Sequence, residues 1–332
     1  MRDSVNIFIV GYSRSGTTML SRVLGKADNI YSFNELHFFE QLYSSEEFDK
    51  ILNESQAISF ADQLLDIQRT NYLFYDVGKH IPEAKKIING LNIRTKPEIF
   101  KKFLEFETRL MNKDVACEQT PRNVLYLEEL FKIFPDAKVI NMVRDPRDVL
   151  LSQKSKWKRK FLGADKIPLK ESIRSWVNYH PITIGKLWNA SVRASLKYQH
   201  SNIKTVLFEE FIQCPDQKLK EICSFLNISY DSEMLDVEQA GSSNFRDDSK
   251  EKGIRKNNFE KWKKGGLSQG EIFWCEFLNR DEMSMLGYEL LSSKISLKSI
   301  YYLFSFPFHI IFALMLNLSR MNNVFSSIKK RI

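Results

Sequence analysis

VNIFIVGYSRSGTTMLSR, residues 5–22, is the stretch whose reading decides the fold. Val5 to Val10 is an almost unbroken apolar run, the mark of a buried strand. Gly11 ends it, and Tyr12-Ser13-Arg14-Ser15-Gly16 forms a polar turn. Thr17-Thr18-Met19-Leu20 then opens a helical pattern that continues to Leu24. A strand, a small-residue loop and a helix start make an anion cradle, because successive backbone N–H groups and the helix dipole converge on one point. Gly16 lets the backbone approach an anion closely, and the hydroxyls of Thr17 and Thr18 can donate to it. An ordinary strand-to-helix turn has the same outline.

Gly11 and Gly16 keep the spacing of the nucleotide-triphosphate loop G-x-x-x-x-G-K-[ST], but Thr17 stands at the lysine position. The cation is Arg14, inside the loop. Without the lysine that reaches the β- and γ-phosphates, a P-loop kinase or NTPase is the second choice. The loop suits a 5′-phosphate that carries a different group.

The 332 residues suffice for one large α/β domain with insertions, or for two small ones. A formal net charge of +8 favours anionic ligands. The basic residues are spread along the chain and no nucleic-acid-binding motif is present, so no nucleic-acid partner is expected. Cys117, Cys214, Cys223 and Cys275 have no metal-ligand spacing and read as buried free thiols of a reducing compartment. The first strand starts within a few residues of Met1, with no leader ahead of it, so a cytoplasmic location is expected.

Further apolar runs at 30–33, 115–118, 138–143 and 203–208 read as strands, with helical stretches at 123–134, from Pro146 onward, at 170–198 and at 209–226. Residues 41–110 read as a helical insertion, a lid or acceptor-binding face. Alternating strands and helices give a mostly parallel central sheet flanked by helices, a three-layer P-loop-like α/β domain. Ligands of such sheets bind beyond the carboxyl ends of the strands. Polar clusters at 11–18, 34–37, 118–122 and 144–152 each follow a strand at that end. Residues 241–264 are polar and basic, either a loop that closes on an anion or solvated surface. Ile300 to Leu318 is apolar and aromatic, broken by Ser305, Pro307, His309 and Asn317, and Lys329-Lys330-Arg331 follows. It reads as an interfacial helix with a basic end, giving peripheral membrane contact, or as a helix docked on the protein's own core.

Two motifs resemble those of the sulfotransferases that use 3′-phosphoadenosine 5′-phosphosulfate (PAPS), and most of all the branch of tyrosylprotein and bacterial carbohydrate sulfotransferases. Ile7 to Thr18 is similar to the family's 5′-phosphosulfate loop. The resemblance implies that Arg14 and the amides of Ser15 and Gly16 hold the 5′-phosphate and sulfonate, with Thr17 and Thr18 assisting. Val139-Ile140-Asn141-Met142-Val143-Arg144-Asp145-Pro146-Arg147-Asp148, continued to Ser152, is similar to the 3′-phosphate motif. There Arg144 offers a bidentate fork, and Ser152 lies two turns on along the same face. Glu35 matches the glutamate base of the tyrosylprotein branch, with His37 as the rival base, since cytosolic members use histidine. Lys252 matches a cofactor-binding lysine, with Arg255 and Lys256 as alternatives. One departure is Gln119, where many relatives place a lysine that aids the leaving group.

The resemblance covers about residues 5–290, so the chain divides into a sulfotransferase domain at 1–290 and a tail at 291–332. It implies PAPS as sulfonate donor, PAP as product, no metal, and in-line transfer to a hydroxyl or amine of an acceptor, taken to be a saccharide or glycolipid. Gln119 leaves open a catalytically weak homologue that binds PAP or PAPS.

Overall fold

A computed structural model describes residues 5–70, 76–162, 167–198, 200–239, 248–291 and 294–317. β1 (Ile7–Gly11) is buried at every position. It is the middle strand of a five-stranded sheet with β2 (Ile30–Ser32), β3 (Val115–Gln119), β4 (Lys138–Val143) and β5 (Ile203–Leu207), in the order β2-β3-β1-β4-β5. Every pairing is parallel. Both faces of β1 are covered by helices, which is why it reads as a continuous apolar run rather than an alternating one.

Successive residues of β1 face opposite layers. Ile7 and Ile9 pack with α1 (Thr17–Leu24). Phe8 and Val10 pack with α2 (Glu54–Thr70), α3 (Ile81–Ile88), α4 (Lys96–Leu110) and α5 (Leu127–Ile133). The insertion at 41–110 is therefore helical but is not a lid. It forms most of one core layer together with α5, with Phe100 fully buried and its ring 3.9 Å from that of Phe38.

α6 (Pro146–Lys154) starts at Pro146, whose missing N–H costs nothing at a helix's first position. The stretch at 170–198 divides into α7 (Leu169–Val177) and α8 (Pro181–Lys197), because His180 is extended and Pro181 opens the second helix. Cys214-Pro215 likewise divides the stretch at 209–226 into α9 (Phe208–Gln213) and α10 (Pro215–Leu226). α10 joins α1 on the Ile7/Ile9 face. Cys117, Cys223 and Cys275 are buried, as expected, but Cys214 at this break is exposed.

The basic stretch from 241 is only partly loop. β6 (Glu238–Gln239) and β7 (Asp248–Lys252) form an antiparallel pair, and a short 3₁₀ turn spans Lys261–Lys264; residues 240–247 lie outside the described residues. α11 (Gln269–Met285) opens with a capping box between Ser268 and Glu271 and packs with α6 and α8 in a third core. α12 (Leu297–Asn317) follows. Its inner side docks on the body: Trp274 Nε1 donates to Ser299 O at 2.8 Å, and the rings of His180 and His309 lie 4.7 Å apart. The tail is therefore docked on the protein's own body along one side, and its remaining surface is exposed. Lys329-Lys330-Arg331 lies outside the described residues.

Behind the strand end at Arg144, a buried ion network locks the third core to the sheet. Arg147 pairs with Asp145 at 2.7 Å and with Glu276 at 2.8 Å, donates to Glu289 O at 2.8 Å, and stacks on Trp262 with its guanidinium carbon 3.9 Å from the ring centre. Replacing Arg147 by Met removes the guanidinium that these two buried carboxylates share. The expected loss is about 3–5 kcal/mol of unfolding free energy by denaturant titration; an unchanged midpoint would contradict this role.

Candidate functional site

Three residues of the loop after β1 have positive φ: Gly11 (141°), Arg14 (77°) and Gly16 (94°). A Cβ on Gly11 would lie 2.2 Å from Met142 O, and one on Gly16 would lie 2.5 Å from Cδ2 of Phe208. Both glycines are therefore required by close approach as well as by φ. The Ser15 N–H donates to Tyr12 O at 3.2 Å, which closes the turn. Thr17 and Thr18 follow as the first residues of α1, where backbone N–H groups have no partner within the helix.

The second motif meets this loop directly. Arg14 Nε donates to Ser152 Oγ at 3.0 Å. Arg144 Nη1 donates to Arg14 O at 3.2 Å, and its Nη2 donates to Asn258 O at 2.8 Å. The Phe208 ring lies 4.4 Å below the Arg144 guanidinium carbon, and Asp148 stands 3.7 Å from Nη2. Arg144 is nearly buried, yet its Nε has no hydrogen-bond partner. A buried, fixed guanidinium with a spare donor is suited to an oxyanion.

Glu35 reaches the same space from the end of β2. Its Oε2 is 3.5 Å from Nε2 of His37, and Nδ1 of His37 is 3.5 Å from Oε2 of Glu40, which in turn pairs with Arg122. The backbone here is held from β3. The Leu36 N–H donates to Glu118 Oε1 at 3.5 Å, and the His37 N–H donates to Thr120 Oγ1 at 3.3 Å. Glu118 also accepts from the Thr120 hydroxyl and from Asn123 Nδ2. Burial pushes its carboxyl up to about 7, against the lowering effect of the Thr120 hydroxyl and the Leu36 N–H.

The loop, the second motif and the Glu35–His37 pair open on one cleft of about 1020 Å³. Its walls bring together Arg14, Gly16, Thr17 and Thr18 of the loop, Arg144 and Ser152 of the second motif, Glu35, His37 and Gln119. Lys252 also lines it, with Nζ 3.2 Å from Asp236, as does Arg255, which pairs with Glu251 at 2.6 Å. Ser15 is the exception. It is fully buried, and it faces a separate small cavity beside Trp188 instead of the cleft.

The sequence reading missed Lys156, Arg159 and Lys261, which line the cleft too. Lys156 lies two residues past the end of α6, so helical spacing from Ser152 did not point to it. Burial first, then Arg14, holds the Lys156 ammonium down at about 8; burial and Arg144 do the same to Lys261, also to about 8.

A model of the sulfotransferase family matches residues 6–232. Protein-tyrosine sulfotransferase A of Caenorhabditis elegans is 23% identical over 242 residues, covering 72% of this chain and 54% of that protein. The chain spans about half the length of the curated relatives it matches. Among solved structures, the sulfotransferase domain from the curacin biosynthetic pathway is similar with a TM-score of 0.56 and 19% identity, over 88% of this chain and all of that one. The sulfotransferase domain of the Synechococcus PCC 7002 olefin synthase is similar with a TM-score of 0.52 and 18% identity, over 88% of this chain and 98% of that one. These structural likenesses concern the fold.

Proposed function

The chain belongs to the sulfotransferase family, and from that premise we propose that it moves the sulfonate group of PAPS to a hydroxyl of a saccharide or glycolipid acceptor. The observation that carries this is the convergence of the 11–18 loop, Arg144 with Ser152, and Glu35 on one cleft. The donor's chemistry fits these walls. It carries two separated anionic ends, and the cleft offers the glycine-lined loop for one and Arg144, with its unpartnered buried Nε, for the other.

In this reading Glu35 takes the proton of the acceptor hydroxyl as its oxygen attacks sulfur. Arg14 and the amino-terminal N–H groups of α1 stabilise the charge that grows on the phosphate as the sulfur–oxygen bond breaks. His37, between Glu35 and Glu40, orients Glu35. Gln119 cannot supply the positive charge that many relatives place there, and Lys156 supports turnover by bringing a cation to the same cleft.

Lys156 and Lys261 both titrate near 8. PAP affinity is therefore expected to hold from about pH 7 up to that value, where the phosphates are fully ionised, and to fall as pH rises through it, because a neutral amine no longer attracts phosphate. Calorimetry at roughly pH 7 and pH 9.5 checks this, and equal affinity at both would contradict it.

The acceptor is tested by incubating the protein with sulfur-labelled PAPS and, separately, soluble saccharides, glycolipids and tyrosyl peptides. Label on a sugar hydroxyl supports the proposal. Label confined to the peptides would replace it with the activity that the name of the Caenorhabditis elegans relative describes. Tight PAP binding with no transfer to any acceptor would favour the catalytically weak homologue that Gln119 suggests.

A further inference from the structure

The largest feature the cleft does not explain is apolar surface. α12 touches the body along a narrow strip. Ser305 Oγ lies 3.2 Å from His180 Nε2, and Asn317 Nδ2 donates to Asn178 Oδ1 at 2.9 Å. The opposite side carries Tyr301, Phe304, Phe308, Ile311 and Met315, at alternating spacings of three and four, each more than half exposed. One continuous stripe of this kind marks an interaction site in place of scattered surface residues.

α7, which touches α12, carries a second apolar stripe. Leu169, Ile173 and Trp176 repeat the same spacing, and each is more than half exposed. The Asn317–Asn178 bond ties the end of α12 to the residue that closes α7. The other side of α7 does something different: Glu171, Ser172 and Ser175 line the cleft. One short helix is thus both a wall of the site and part of the apolar face.

We propose that the α12–α7 face lies flat on an anionic lipid bilayer, and that the cleft takes its hydroxyl acceptor from that bilayer. The second half rests on the sulfotransferase reading; the first does not. Charge selects the occupant. No charged residue occurs from Ser299 to Asn317, while exposed lysines stand at the amino-terminal end of each helix, Lys294 and Lys298 by α12 and Lys170 in α7. In a chain of net charge +8 these lysines complement anionic headgroups, whereas a second copy would present the same lysines to them. At 21 residues α12 is long enough to span a bilayer. Spanning would strip His180 and Asn178 of their α12 partners, so it lies on the surface instead.

The test is flotation of the full chain with vesicles of phosphatidylcholine alone and of phosphatidylcholine with phosphatidylserine, beside PAP calorimetry on the same samples. The chain is expected to float with the phosphatidylserine vesicles. The double variants Ile173→Ser/Trp176→Ser and Phe304→Ser/Phe308→Ser are each expected to lower the bound fraction about tenfold with PAP affinity unchanged. A chain that stays in the soluble fraction with every vesicle overturns the proposal. So does a wild-type dimer that either variant converts to a monomer, which would assign the face to a second copy. PAP binding without flotation rejects the bilayer and keeps the sulfotransferase reading; flotation without PAP binding does the reverse. For the acceptor, wild-type KM is expected to be lower for a lipid-linked saccharide in vesicles than for the free saccharide. Equal KM values would reject that half.

Discussion

Replacing Arg144 with alanine is expected to weaken PAP binding by roughly a hundredfold or more, and with it every downstream activity. Removing one partner of a buried, hydrogen-bonded charge pair costs about 2–5 kcal/mol, and each 1.4 kcal/mol is about tenfold in affinity. Arg144 is the residue for which this full effect is expected, because the protein has already fixed it. Its two terminal nitrogens are held by Arg14 O and Asn258 O, Phe208 lies under its plane, and the Trp188 indole holds its carbonyl at 3.0 Å. Ordering it on binding therefore costs little. The same contacts mean that alanine also loosens the loop, so the thermal midpoint must be read beside affinity. Arg144→Lys separates the two effects, since it keeps the charge and loses the fork. Its affinity should fall between wild type and alanine. Unchanged PAP binding in a folded Arg144→Ala protein would overturn the 3′-phosphate assignment.

The second large effect is expected at Glu35. Glu35→Gln keeps the side chain's shape, leaves PAP affinity at the wild-type value, and lowers kcat by roughly a hundredfold to ten-thousandfold, the usual range for a lost general base. The geometry makes this a clean experiment. The backbone around Glu35 is anchored elsewhere, by Asn34 on Gln68 at 2.9 Å and by His37 on Thr120, so the amide should not move the loop. Full activity in Glu35→Gln would pass the role of base to His37, whose Nε2 is 3.5 Å from the carboxylate.

Which parts were legible in the sequence follows from how local each signal is. The strand, loop and helix at 5–22 needed only neighbouring residues, and so did the Arg144 motif, where the strand end and Pro146 fix the start of α6. Parallel pairing followed from the alternation of elements. What failed depended on distant contacts. The insertion at 41–110 has the composition of a cover, but Phe100 and Phe103 complete the core beneath β1, and nothing in their spacing says which side of the sheet they take. The breaks at Pro181 and Pro215 interrupt apolar patterns that run on through them, so periodicity alone joins the helices. Ser15 belongs to the loop motif by position, yet the turn closed on Tyr12 O rotates its side chain away from the cleft. Lys156, Arg159 and Lys261 escaped notice because a lysine or arginine in a basic chain carries no distinguishing mark until burial and neighbours single it out. The exposed side of α7 was equally invisible, since the spacing of Leu169, Ile173 and Trp176 does not say whether that side meets the core or solvent.

The central claim is that the cleft is built for a nucleotide carrying both a 3′-phosphate and a 5′-phosphate. The most direct measurement is a calorimetric titration of the purified protein with PAP and, separately, with ATP and Mg²⁺. Micromolar or tighter PAP binding with much weaker ATP binding is the predicted result. Tight Mg²⁺-dependent ATP binding with weak PAP binding would contradict it and return the Gly11–Thr18 loop to the kinase reading that Thr17 argues against.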